Sequence, residues 1–238
     1  MLKEKITVYH GSKYVIDKPY YGGGKPNNDY GSGFYCTEDL ELAKEWSVSA
    51  NENGYANIYE LDLTNLKVLN LNNHSVLNWI TILISNRVFP LKSDVAELGA
   101  QFLKDNYGID LSEYDIVIGY RADDSYFTFA KNFLNNQISV RRLSEALKCG
   151  ELGQQIVLVS EKAFENIRYI GNVEADFKEY YSRREYRNNN ARLKYLENKR
   201  GTLNKNDVFL IELLRGDVEK NDPRLSWFLF TSGSRIIS

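Results

Sequence analysis

Alternating apolar and polar residues from Lys5 to His10 predict a half-buried strand that ends at Gly11. After Thr37 the apolar residues recur with the spacing of a helix, and their stripe includes Trp46. We predict that Thr37 is the N-cap of this helix, since acids follow it in the first turn. The same reasoning predicts further strands at 56–63, 66–70, 114–120 and 155–159, and helices at 75–85, 93–106, 125–135 and 140–149.

The order of these elements predicts the fold class. Strands and helices do not alternate as they do in a parallel sheet, so we expect an α+β fold. A long helix is predicted at 178–200, because no Pro or Gly interrupts it before Gly201 and aromatic residues recur every three or four positions. We therefore predict one domain over residues 1–172 and a basic helical extension over 173–238 that packs on it.

Composition is that of an ordinary globular protein. The chain has 238 residues, of which 43% are hydrophobic and 26% charged, and this excludes wholesale disorder. The richest apolar run, Trp79 to Ile84, is far shorter than the roughly 18 residues that span a bilayer. The N-terminus shows no apolar signal region. We expect a cytoplasmic protein without a membrane partner.

The net charge of −2 conceals an uneven distribution. The predicted helix at 178–200 carries a net charge of +5, which leaves −7 on the remainder of the chain. Two interpretations stay open for this helix. It is either a solvated helix held by its aromatic residues or a basic surface that binds nucleic acid or another acidic partner.

Several common functional motifs are missing. With two Cys and two His, far apart in the sequence, no zinc site is expected, and both thiols should be free. The loop from Gly22 to Lys25 lacks the Ser or Thr that a phosphate-binding loop needs, because Pro26 follows. The glycines at 31 and 33 do not open a helix, which excludes a dinucleotide-binding fingerprint there.

One set of residues does carry chemistry. It consists of a strand end (Tyr9, His10, Gly11, Ser12), a Gly31-Ser-Gly-Phe-Tyr35 turn, Trp46 eleven residues later, and Gln154-Gln155 at a later strand. This pattern resembles the NAD⁺ pocket of ADP-ribosyltransferases of the diphtheria-toxin and poly(ADP-ribose) polymerase type. With Asn86-Arg87, 114–119, Ala122-Asp-Asp124 and 222–225 added, nearly the whole chain resembles a family of bacterial ADP-ribosyltransferase-like domains of unknown function.

The resemblance implies a split two-sheet β core with surrounding helices and a C-terminal helical extension. It implies NAD as co-substrate, no metal, and a triad of His10, Tyr35 and Gln155. The backbone of Gly11 would pair with the nicotinamide carboxamide, where a missing Cβ allows close approach. Tyr35 and Trp46 would sandwich the ring. The implied NAD-binding residues are Tyr9, Gly11, Ser12, Gly33, Phe34, Trp46, Arg87 and Asp124.

The third triad position departs from the family pattern, because Gln replaces the usual Glu. Gln155 fits the bacterial family, whereas alignment to the polymerases would favour Gln154. A neutral amide cannot supply the charge of a carboxylate, so single transfer or inactivity is expected rather than polymer elongation. Glu161 and Asp124 are carboxylates that could compensate. Asp123 stands where the family has Asn.

Each of these residues also has a structural interpretation. His10, Tyr35 and Trp46 could be core residues, Gln155 a surface residue at a strand start, and Arg87 one half of a salt bridge. Asp123 and Asp124 could cap the following helix.

The predicted function is an NAD-dependent mono-ADP-ribosyltransferase that modifies a protein, RNA or DNA. The resemblance implies a bacterial toxin of a toxin–antitoxin or phage-defence system, with an antitoxin as possible partner. Two alternatives remain: an NAD glycohydrolase that uses the same pocket, and a catalytically inactive module that binds nucleic acid through the basic helix.

Overall fold

The computed structural model describes residues 4–122, 124–149, 153–199, 203 and 205–225. This part of the chain forms two β-sheets and eight α-helices, which confirms the α+β class. The strands are β1 Lys5–Ser12, β2 Phe34–Cys36, β3 Gly54–Asp62, β4 Val68–Asn70, β5 Ile116–Tyr120, β6 Gln154–Leu158 and β7 Ile167–Ala175. The helices are α1 Leu40–Ser47, α2 Val76–Asn86, α3 Asp94–Tyr107, α4 Asp124–Leu134, α5 Val140–Cys149, α6 Glu161–Glu165, α7 Phe177–Lys199 and α8 Leu210–Arg215.

The two sheets meet at the end of β1. One sheet has the order β1-β3-β7 and is antiparallel throughout, and the other has the order β2-β6-β5-β4 with only β4 and β5 parallel. Tyr9 and Thr37 exchange two backbone hydrogen bonds of 2.7 and 2.9 Å, which join β1 to the end of β2. These bonds place the last residues of β1 beside the second sheet.

Two hydrophobic clusters hold the sheets. Apolar side chains from both sheets, among them Val8, Tyr59 and Ile156, form one buried cluster. The alternate residues of the second sheet, such as Val117 and Val157, face a larger cluster built with α2, α3, α4 and α5. Because successive side chains of a strand point to opposite faces of the sheet, neighbouring residues of β6 pack into different clusters.

Some predicted elements need correction. Asp39, not Thr37, caps α1, since its carboxylate accepts hydrogen bonds from the backbone N–H groups of Glu41 and Leu42 at 2.8 and 3.1 Å. The strand β7 was not predicted, and the expected domain limit between residues 172 and 173 falls inside it. Residues 34–36, expected as a turn, form β2.

The long basic helix is present as α7 and is packed against the rest of the chain. The ring centroid of Tyr195 lies 4.0 Å from that of Phe129 on α4, with the two rings tilted by 31°, and Ala191 is fully buried. No helix within the described ranges is long and apolar enough to cross a membrane.

Candidate functional site

A cavity of about 500 Å³ opens where β1 of the first sheet lies beside β2 and β6 of the second. Its volume is in the range of roughly 300–1,000 Å³ that is usual for small-molecule sites. Its lining residues are His10, Gly11, Asn28, Asp29, Tyr35, Trp46, Arg87, Arg121, Ala122, Gln155, Arg184, Glu185 and Asn188. All three residues of the predicted triad are among them.

His10 is held from two sides. Its Nδ1 lies 2.7 Å from the carbonyl oxygen of Tyr35, and its ring stacks on Phe34 with a centroid distance of 4.2 Å. Burial lowers the pKa of His10, and the carbonyl opposes this only in part. Since a carbonyl oxygen only accepts, Nδ1 must carry the proton. The neutral imidazole then presents Nε2 as a hydrogen-bond acceptor.

The hydroxyl of Tyr35 is already used within the protein. It donates to the carbonyl oxygen of Gly31 at 2.7 Å and accepts from the backbone N–H of Tyr30 at 3.0 Å. Burial raises the pKa of this hydroxyl, so it stays protonated. Gly31 has a φ of +78°, a conformation that glycine adopts without strain. Tyr35 therefore fixes the turn before β2 and offers the cavity its ring.

Gln155 lies on β6 opposite Gly119 and is 5% exposed. Its Oε1 is buried and has no hydrogen-bond partner among the described residues. Such an atom costs about 1–3 kcal/mol, which a ligand donor could offset. Gln154, the alternative in the sequence, does not line the cavity, because successive residues of a strand face opposite sides.

Arg87 forms a salt bridge and also lines the cavity. Its Nη1 lies 2.8 Å from Oδ1 of Asp29, whose Oδ2 accepts the backbone N–H of Ala122 at 2.8 Å. Burial raises the pKa of Asp29, and the hydrogen bond from Ala122 and the charge of Arg87 counteract this. Asp29 was missed by the sequence reasoning, and no sequence signal marked it.

Trp46 and Gly11 bring α1 onto the cavity wall. The guanidinium of Arg121 lies 4.8 Å from the ring centroid of Trp46, so this ring already has a cationic neighbour. A Cβ on Gly11 would lie 2.2 Å from the carbonyl oxygen of Ala43. The expected reason for this glycine was close approach of a ligand, but the packing of α1 on β1 already requires it.

Four predicted NAD-binding residues lie outside the cavity lining. Tyr9 contributes its backbone to the link between the sheets, and Ser12 accepts the backbone N–H of Tyr14 at 3.2 Å. Gly33 lines a separate cavity of about 700 Å³. Phe34 stacks its ring on the imidazole of His10.

Of the three carboxylates that the sequence singled out, the structure describes the side chain of one, Glu161. Asp124 begins α4, but its side chain is outside the described residues, and so is Asp123. Glu161 begins α6 and is not among the residues that line the cavity.

The arginines of α7 are engaged with α1 and the residue that follows it. Arg187 makes two hydrogen bonds to Glu45, at 3.0 and 2.9 Å, and Arg183 pairs with Glu41 at 2.8 Å. Arg184 donates to the carbonyl oxygen of Val48 at 2.7 Å. Three of the seven basic residues of α7 therefore hold it in place.

The described residues offer no metal site. They contain no group of three or more His, Cys, Asp or Glu side chains that could hold an ion. Cys36 is free and buried, and burial raises the pKa of its thiol. The side chain of Cys149 lies outside the described residues.

These features define a two-sheet α+β protein with a polar cavity between the sheets. A family model described as "Protein of unknown function (DUF3990)" matches residues 6–169, which is more than half of the chain, and the chain belongs to that family. No curated protein and no solved structure matches it.

Proposed function

We propose that the chain is an NAD-dependent mono-ADP-ribosyltransferase with an ADP-ribosyltransferase-like fold. The observation that carries the proposal is the single cavity shared by His10, Tyr35 and Gln155, three residues far apart in the sequence. Gly11, Trp46 and Arg87, which the resemblance also implies, line the same cavity.

The residues of the cavity suit the parts of NAD. The neutral His10, with Nε2 free to accept, suits a ribose hydroxyl, and the partnerless Oε1 of Gln155 suits a hydroxyl or amide donor. Arg121 and Arg184 bring positive charge to the wall for a diphosphate. The rings of Tyr35 and Trp46 offer apolar surface to nicotinamide.

The reaction breaks the bond between nicotinamide and ribose, and positive charge develops on the sugar. Gln155 contributes an amide dipole and orients the sugar, but it brings no charge. This supports transfer of a single ADP-ribose to a macromolecule over polymer growth. Water as the acceptor would make the same cavity an NAD glycohydrolase.

The test replaces Gln155 with Ala and, as the matched control, its neighbour Gln154 with Ala. Both variants are given labelled NAD and a bacterial lysate, with calorimetry for NAD binding and thermal melting to verify the fold. We expect loss of labelling in Gln155→Ala with NAD binding nearly unchanged, and retained labelling in Gln154→Ala. Full activity of Gln155→Ala would remove this residue from the site. Free ADP-ribose without labelled macromolecules would indicate a glycohydrolase.

We further propose the setting that the resemblance implies, a cytoplasmic bacterial toxin with an antitoxin. Expression in a bacterium with and without His10 tests it. Growth arrest that depends on His10, together with an ADP-ribose mass added to protein, RNA or DNA, is the expected result. The alternative of an inactive nucleic-acid-binding module has less support, because the arginines of α7 at 183, 184 and 187 already have partners within the chain.

A further inference from the structure

The helix α7 lies beyond the stretch that the family model matches, yet it forms part of the cavity wall. Arg184, Glu185 and Asn188 all line the cavity from this helix. The ion pair between Arg187 and Glu45 and the bond from Arg184 to Val48 hold the helix against α1 on either side of Glu185. The position of Glu185 is therefore set by the fold.

Among the described residues that line the cavity, two are carboxylates, Asp29 and Glu185, and they differ in whether they already have partners. Both oxygens of Asp29 are engaged, one by Arg87 and the other by the backbone N–H of Ala122. Glu185 is exposed, and no hydrogen bond or ion pair engages its carboxylate within the described part of the chain. Among the described lining residues, Glu185 is therefore the carboxylate that no protein group engages.

The position of Glu185 suits a macromolecular acceptor. A protein or nucleic acid cannot enter a cavity of about 500 Å³, so the atom that is modified must be presented at the opening. Gln155 lies deep in the cavity at 5% exposure, whereas Glu185 is on the exposed side of the wall. A group that takes a proton from the acceptor must lie within hydrogen-bond reach of it.

On the basis of the function proposed above, we propose that Glu185 is the general base that activates the acceptor. The bond between C1′ of the ribose and the nicotinamide nitrogen breaks, and its electron pair leaves with nicotinamide. A new bond forms between C1′ and the oxygen or nitrogen of the acceptor. The acceptor proton passes to the carboxylate of Glu185 and then to solvent.

The experiment compares Glu185→Gln with Glu197→Gln, a matched control on the same helix. Glu197 is exposed and does not line the cavity. Each variant of the full chain is given NAD labelled in the nicotinamide ring, with bacterial lysate as the source of acceptors, and released nicotinamide is measured. General-base catalysis typically contributes 10²–10⁴-fold, so we expect a loss on the order of 10²-fold or more in Glu185→Gln. The Kd for NAD should stay within about twofold, and the control should match the wild type.

Chemical rescue separates a base from a structural residue. Added formate should restore part of the rate of Glu185→Ala and leave the rate of Glu197→Ala unchanged, because a small carboxylate can occupy the vacated position. No rescue, or a loss of NAD binding as large as the loss of rate, would overturn the role of Glu185 as a base.

The two proposals fail in different ways. If the wild type releases nicotinamide and labels macromolecules while Glu185→Gln keeps more than half of the rate, the inference about Glu185 is wrong and the proposed function stands. If the wild type neither binds NAD nor releases nicotinamide, the proposed function is wrong and the role of Glu185 falls with it.

Discussion

Replacement of Arg187 with Met would leave a buried carboxylate without its partner. Glu45 has a side chain that is 3% exposed, and Arg187, at 29% exposed, holds it through two hydrogen bonds of 3.0 and 2.9 Å. Breaking a fully buried pair costs about 3–5 kcal/mol. Because Arg187 is partly solvated, we expect about 2–3 kcal/mol here, which corresponds to a fall of roughly 4–12 °C in Tm for a chain of this size.

The matched control is Arg183→Met on the same face of α7. Arg183 pairs with Glu41, and these side chains are 49% and 47% exposed, so the pair is worth at most about 1 kcal/mol. Urea denaturation gives the free energy of unfolding of each variant. An equal loss of unfolding free energy in both variants would refute the idea that burial decides how much these ion pairs contribute to stability. In the double variant Glu45→Gln/Arg187→Met, part of the lost stability should return, because the uncompensated charge is gone.

Two further predictions concern residues of the cavity wall. Gly11→Ala should cost about 1–3 kcal/mol in a urea titration, because the new Cβ would lie 2.2 Å from the backbone oxygen of Ala43, and an unchanged unfolding midpoint would contradict this. Burial lowers the pKa of His10, so the unfolded state binds a proton more readily; stability should be constant above the unfolded value of 6.5 and fall as the pH drops below it. The fall in Tm between pH 7.5 and pH 5.5 should be smaller in His10→Gln than in the wild type. His74→Gln should also reduce the fall, since burial lowers the pKa of His74 in the same direction, and the two variants separate the contributions of the two histidines. An equal fall in His10→Gln and the wild type would exclude His10 as a source of the acid sensitivity.

Most of the fold was predictable from local patterns. The strand at β1 and the helices α2, α3, α4, α5 and α7 were predicted to within a few residues, because their apolar periodicity is strong. The strand β7 was not predicted, although exposed and partly buried residues alternate along most of it. The N-cap of α1 was misassigned, since Thr37 and Asp39 are both good capping residues and the choice depends on the bond between Thr37 and Tyr9.

The site was predictable only where it lies beside recognisable motifs. His10, Tyr35 and Gln155 were found through their neighbours in the sequence, and the structure brings them to one cavity. Asp29 and Glu185 were not found. A carboxylate in a loop or on an exposed helix has no sequence pattern of its own, and its role depends on what packs beside it.

The sequence by itself determined the α+β class and the positions of most elements, because side-chain periodicity is encoded over short stretches. The triad of His10, Tyr35 and Gln155 is what the family resemblance implies, and it stays a prediction. Only the tertiary structure decided which of Gln154 and Gln155 faces the cavity, since the alternation of β6 assigns each residue to one side. It also decided how the basic helix packs on the rest of the chain. The net charge left open both a solvated packed helix and a basic binding surface, and long-range contacts pair Arg183 and Arg187 with acids of α1 and bring Glu185 to the cavity.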